Sequence, residues 1–180
     1  MILKKLPTVA LAENDTHDAN LLLIALQQAA PNLNVDLLRS GEEVIQYFFG
    51  SGGRQEKNSH AIACDLLLLN LALPKLDGFK VLRQLQWLYR DDLTLLPPIV
   101  VLCESDDPEI IAQTYRFGAK GFLSKVVPAA QLATAIEQVL HYWLEVTLQP
   151  PRERKPAKYG LRSWLRMRLS TPDKQALAIQ

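Results

Sequence analysis

D-L-L-L-L-N-L-A-L-P-K-L-D-G-F, residues 65–79, is the stretch whose reading decides the fold. The four leucines at 66–69 form a short uninterrupted apolar run, which suits a strand buried on both faces of a parallel sheet. Asn70 sits where that strand ends. Pro74 shapes a loop, and Asp77-Gly78 opens a helix whose apolar positions are Val81, Leu82, Leu85 and Leu88. In open parallel sheets ligands and chemistry gather just beyond the carboxyl ends of the strands. Asn70 therefore occupies the place of a functional residue, yet its side chain is a neutral amide whose nitrogen lone pair is delocalised, a poor nucleophile.

The same alternation extends on both sides. Residues 8–12 read as a buried strand that runs into Glu13-Asn14-Asp15. A helix over about 16–30 follows, capped by Asp15 or Thr16. Residues 35–38 give a second strand, and Ser40 with Glu43 gives a capping-box start to a second helix. Residues 50–59, G-S-G-G-R-Q-E-K-N-S, read as a flexible polar loop. Beyond the central unit, 99–102 is a strand ending at Cys103, and Asp107-Pro108 opens a helix that Gly118 stops. Residues 121–124 are a fifth strand, and a last helix runs over about 128–148. Five strands alternating with five helices predict a doubly wound α/β sheet.

Four separated motifs give the stretch 8–148 a resemblance to two-component response regulator receivers: Glu13 after the first strand, D-L-L-L-L-N-L-A-L-P-K-L-D-G-F, the Cys103 strand end, and G-F-L-S-K ending in Lys125. The resemblance implies a flavodoxin-like five-stranded parallel sheet of order 2-1-3-4-5. It also implies a pocket of Glu13, Asn14, Asp15, Asn70, Cys103 and Lys125. In that family the residue at the Asn70 position is normally the phosphate-accepting aspartate, and an acid at the Asn14 position helps to hold Mg²⁺. Here both matched carboxylates are amides, whereas magnesium needs hard, usually anionic, oxygen ligands. Asp15 is acidic but one residue late, and a one-residue shift turns a side chain away. Cys103 stands where a hydroxyl normally donates, and a thiol donates weakly. Phe122 aligns with the switch aromatic and carries no hydroxyl. Val126 replaces the proline that usually follows the lysine, so a trans Lys125–Val126 bond is expected. Asn14 and Asn70 can both donate and accept, so a fixed network with Glu13 and Lys125 is expected. No metal, no cofactor and no catalytic residue is expected.

Composition agrees with one domain plus an appendage. Of 180 residues 48% are apolar and 22% charged, enough core and surface for a water-soluble domain. Cys64 and Cys103 are too few for a disulfide framework or a metal cluster, and burial in packing is a better reading for them than redox sensing. Nothing reads as a membrane span or signal peptide, so the cytoplasm is the default location. Charge divides the chain. Residues 1–151 hold 12 basic and 17 acidic side chains and residues 152–180 hold 8 and 2, so an acidic body (−5) meets a basic tail (+6). The domain boundaries read as 1–148 and 149–180.

The last helix is apolar nearly all round. Leu132, Ile136, Val139 and Trp143 make one stripe, which Tyr142 and Val146 widen, and Leu140, Leu144 and Leu148 make another. One stripe packs on the sheet and the rest needs a second partner. That partner is either the folded-back tail or, as preferred, a second copy. The long polar loop and the final helix ending in Tyr142-Trp143 resemble the phytochrome-associated single-domain response regulators, which implies a homodimer surface of Tyr115, Leu140, Tyr142, Leu144 and Val146, with Phe122 and Lys120 close by. In the tail, Leu161, Trp164, Leu165 and Leu169 share one side of a helical wheel, with Arg162 and Arg166 off it and Arg168 inside the apolar arc. Such a segment suits a partner protein, nucleic acid phosphates or an anionic membrane. It is short enough that a partly disordered tail is equally expected.

The function expected is a pseudo-receiver that signals by protein–protein contact with a sensor kinase, another regulator, or a light- or clock-signalling component. The alternatives are a phospho-accepting receiver using Asp65 or Asp15, and a nucleic-acid-binding regulator acting through its tail arginines.

Overall fold

The computed structural model describes residues 6–49 and 64–149. Strands β1 (Thr8–Ala12), β2 (Asn34–Leu38), β3 (Leu66–Asn70), β4 (Ile99–Cys103) and β5 (Gly121–Ser124) form one parallel sheet in the order β2-β1-β3-β4-β5. Helices α1 (Thr16–Ala29), α2 (Gly41–Phe49), α3 (Gly78–Leu88), α4 (Pro108–Arg116) and α5 (Ala129–Leu140) alternate with them. The expected flavodoxin-like architecture is the one found.

The continuous leucine run of β3 is explained by its two neighbours. Leu67 and Leu69 enter a core shared with Val44 and Ile45 of α2 and Val81, Leu82 and Leu85 of α3. Leu66 and Leu68 point the other way, into a core shared with Leu22 and Leu26 of α1 and Ile136 and Leu140 of α5. Side chains alternate across a strand, so a strand covered on both faces has no polar position to spare until it ends, and β3 ends at Asn70. Every residue of β3 and β4 is buried.

Aspartates start three helices. Asp15, Asp77 and Asp107 each accept a backbone N–H of the first turn, from Asp18, Lys80 and Glu109, at 2.9 Å in all three. Ser40 Oγ accepts from Glu43 N–H at 3.2 Å, and the Glu43 carboxylate reaches back to accept Arg39 N–H at 2.8 Å. This is the expected capping box, displaced one residue on its return arm. Gly78 is required by close approach: a Cβ there would lie 2.7 Å from Leu71 Cα and 2.8 Å from the Asn70 carbonyl oxygen.

The C-terminal helix departs from expectation. Regular α-helix ends at Leu140, and His141–Val146 forms a wider π-helical turn closed by Thr147 N–H donating to the Tyr142 carbonyl at 2.9 Å. The helix therefore stops at Val146, and Leu148, beyond it, is 99% exposed. Leu140, expected on a dimer surface, is only 4% exposed because it follows Ile136 by one turn into the α1 side of the core. Leu144, expected beside it, also packs against that core and is half-buried. Tyr115, Tyr142 and Val146 are exposed as expected. The polar loop 50–59 and the tail residues Arg162, Trp164, Leu165, Arg166 and Arg168 lie outside the described residues.

Candidate functional site

At the carboxyl edge of the sheet, β1, β3 and β5 deliver Glu13, Asn70 and Lys125 to one point. Glu13 N–H donates to the Leu38 carbonyl at 3.0 Å and Lys125 N–H to the Cys103 carbonyl at 2.7 Å, so the residues that leave β1 and β5 are still held by the sheet. Asn70 is the last residue of β3, and its register partner in β4 is Leu102.

The centre of the site is the Glu13 carboxylate, which is fully buried. Asn70 Nδ2 donates to both of its oxygens, at 2.8 and 2.9 Å. Asp15 N–H donates to Oε1 at 3.0 Å and Lys125 Nζ to Oε2 at 3.0 Å. The orientation of the Asn70 amide is fixed from its other end, where Oδ1 accepts Ala72 N–H at 3.1 Å. A buried carboxylate is tolerated when its lone pairs are filled and its charge is paired, and both conditions are met here.

Lys125 is shared among three carboxylates. Besides Glu13 it reaches Asp18 at 2.6 Å and Glu104 at 3.1 Å, and its side chain is 5% exposed. Burial on its own pulls the lysine pKa down. The hydrogen bonds to Asp18, Glu13 and Glu104 outweigh it and hold the ammonium well above the ordinary lysine value. The group is a fixed cation across the physiological range.

Other expected pocket residues are placed differently. Asn14 is exposed and lies outside this network. Asp15 turns its side chain to cap α1, and the N–H of Asp18 lowers its pKa, so the expected turn away from the pocket holds. Cys103 is 8% exposed and packs in the core beside Val101 and Ala119, and Phe122 packs against the same cluster. Both serve as packing. Cys64 is likewise buried, at 1% exposure. Ser105 Oγ accepts from Asp107 N–H at 3.2 Å. No cis peptide bond occurs among the described residues, the Lys125–Val126 bond included.

Sequence reasoning missed three contributors. Asp18, in the first turn of α1, makes the shortest of the Lys125 contacts. Glu104, the residue after β4, is the third partner of Lys125. Arg39 Nη1 donates to the Glu13 and Asp15 carbonyls, at 3.3 and 3.5 Å, and braces the turn after β1. The signal for Asp18 was available: a helix that begins directly after β1 sets its first turn over the strand ends.

The arrangement does not suit a divalent cation. Both Glu13 oxygens already face N–H donors, an ammonium stands 3.0 Å from one of them, and Mg²⁺ requires oxygen lone pairs in an octahedron. Among the described residues no cluster of three or more His, Cys, Asp or Glu is arranged to hold a metal, and no helix is long and apolar enough to cross a membrane.

Comparison with known proteins gives one consistent result. Residues 9–137 match the response regulator receiver domain. The probable methanogenesis regulatory protein FilR2 of Methanothrix harundinacea is 27% identical over 138 residues, 76% of this chain and 83% of that protein. The response regulator Rcp1 of Synechocystis is 25% identical over 142 residues, 79% of this chain and 92% of that protein. Among solved structures, the phosphorylated cyanobacterial phytochrome response regulator RcpA superposes with a TM-score of 0.69 at 26% identity, covering 82% of this chain and 100% of its own. The Mn²⁺-bound form of Rcp1 gives 0.67 at 25% identity, covering 81% and 99%.

Proposed function

The chain belongs to the response regulator receiver family, and from that premise we propose that it is a pseudo-receiver, a signalling module that works by protein contact and takes no phosphoryl group at Asn70. The observation that carries the reading is the double hydrogen bond from Asn70 Nδ2 to the buried Glu13 carboxylate, at 2.8 and 2.9 Å. An aspartate at position 70 would set two anions against each other, and receivers that bind a divalent cation have the means to relieve this. Here the amide and Lys125 neutralise the site from within. RcpA is phosphorylated and Rcp1 binds Mn²⁺; this chain is proposed to depart from both.

Neither alternative acceptor is favoured. Asp65 precedes β3, and its Oδ2 accepts Thr8 N–H at 2.8 Å at the amino edge of the sheet. Five steps along the strand, about 16 Å, separate it from Asn70. Asp15 is occupied as a helix cap. Incubation with acetyl phosphate and Mg²⁺ is expected to leave the intact mass unchanged, and millimolar Mg²⁺ alone to move the melting temperature by less than about 1 °C, because a ligand without a site adds nothing to the folded state. A stoichiometric phosphate adduct would sink the reading.

The partner favoured by the exposed apolar side chains is a second copy of the chain. Tyr115, Tyr142 and Val146 are 50%, 52% and 57% exposed, and large apolar groups gathered on few elements mark contact surfaces. With Leu140 and Leu144 turned inward, the surface is narrower than the helical wheel implied. Sedimentation velocity at high micromolar concentration is expected to give a dimer, and Tyr142→Glu with Val146→Glu to weaken it at least about tenfold. A wild-type chain that stays monomeric there would remove the second copy from the proposal.

A further inference from the structure

At the amino edge of the sheet, away from Asn70, a groove of about 250 Å³ opens between the lead into β4 and the end of the C-terminal helix. Leu93, Leu96, Pro97 and Pro98 form one wall, and Trp143 and Leu148 the other. Leu93 is 56% exposed and Leu148 99%, so both walls present bare apolar side chains to water. Gln149 also lines the groove and is pinned there, its Nε2 donating to the Trp143 carbonyl at 2.9 Å and to the Asp65 carbonyl at 3.4 Å. It is the last described residue, so the basic tail starts from the rim of the groove.

We propose that this groove is the seat of the chain's own segment 161–169, with Trp164 as the side chain that enters it. Three observations single out this occupant. The first is reach. Residues 150–160 separate the rim from the segment, and eleven residues span about 18 Å as a flexible coil, more where the prolines extend it. A tether of that length gives a local concentration in the millimolar range, so a contact too weak to hold a free peptide is populated in cis. The second is net charge: the body carries −5 and the tail +6, an attraction between the two parts as wholes, since the one charged side chain among the groove's lining residues is Lys120. The third is size. The volume suits one large side chain, and among residues 150–180 Trp164 is the sole tryptophan, flanked on one helical side by Leu161 and Leu165. A segment this short is marginal as an isolated helix, so the groove supplies the apolar surface that would order it.

Hydrogen exchange on the full chain tests this. A segment docked nine-tenths of the time exchanges about tenfold more slowly than a free one. Amides 161–169 are expected to show that slowing in the wild type and to lose it in Trp164→Ser and in Leu148→Arg. Leu148 is fully exposed, so its replacement leaves the fold intact, with unchanged exchange of β3 as the check. Residues 93–96 are expected to exchange faster in Trp164→Ser than in the wild type. Tail amides at random-coil rates in the wild type overturn the proposal. So does protection that survives Leu148→Arg, protection that falls on dilution (the tail then sits on a second copy), or protection that appears only with double-stranded DNA or anionic vesicles.

Discussion

Asn70→Asp is expected to destabilise the fold by about 2–4 kcal/mol at neutral pH, more than Asn70→Ala, although aspartate is the closer match in shape. Alanine removes donors and leaves the buried Glu13 carboxylate with Asp15 N–H and Lys125, a cost of about 1–3 kcal/mol. Aspartate does something worse: it sets a second anion 2.8–2.9 Å from the first, in a place where Asn70 is 3% and Glu13 0% exposed. Two unit charges at that separation repel by about 6 kcal/mol at an effective dielectric of about 20, and relaxation and Lys125 recover part of it. The pH dependence separates the two variants. In Asn70→Asp one carboxyl of the pair has its folded pKa raised above the unfolded value, so the stability tied to its protonated form is present at low pH and lost as pH rises through the folded pKa. The order of the two variants should therefore reverse towards pH 4, where a protonated aspartic acid donates its O–H to Glu13 as the amide does. Millimolar Mg²⁺ should narrow the gap for Asn70→Asp and leave the wild type unmoved. Urea unfolding at pH 7.5 and pH 4, with and without Mg²⁺, reads all four outcomes. An Asn70→Asp chain as stable as the wild type at pH 7.5 without metal would show that the amide is not what keeps the pocket together.

The residues that could be read ahead of the structure are those whose role follows from chain-local rules. Four consecutive leucines ending in Asn70 announce a strand with both faces covered, and the two cores divide Leu67 and Leu69 from Leu66 and Leu68 accordingly. Asp15 and Ser40 were legible as caps, and Asp77 and Asp107 as helix starts, because a cap is satisfied within one turn of itself. Glu13 and Lys125 are 112 residues apart and were paired only through resemblance to receivers. The failures are of a different kind. A helical wheel assumes α-helical winding throughout, and the π turn at His141–Val146 breaks that assumption for Leu144 and Leu148, while Leu140, still in regular helix, follows Ile136 into the core. Asp18 and Glu104 escaped because which of several acids meets a lysine depends on side-chain reach across three elements. Local pattern does not encode that.

Lys125→Met is expected to cost about 3–5 kcal/mol, the range for stripping one partner from a buried ion pair, and to lower the melting temperature by about 10 °C. The reason is the charge left behind. Glu13 is fully buried, Asp18 and Glu104 are 27% and 70% exposed, so the latter two return to water while Glu13 cannot. Neutralising the orphan should then restore stability. Glu13→Gln added to Lys125→Met leaves an amide facing Asn70 and is expected to recover at least half of the loss, whereas Glu13→Gln alone takes the buried one of three carboxylates from Lys125, leaving it Asp18 and Glu104, and destabilises. Opposite signs for one substitution in two backgrounds would be the mark of a coupled pair. The pH dependence of the wild type follows from its lysine. Lys125 is held above the ordinary value, so its contribution is complete below the unfolded lysine pKa of about 10.4 and is lost only as the solution passes the still higher folded value. Between pH 6 and 10 Lys125 therefore gives the wild type no pH dependence. If the double variant is no more stable than Lys125→Met, the lysine acts through packing of its stem, and the internal cation is not what lets Glu13 remain buried.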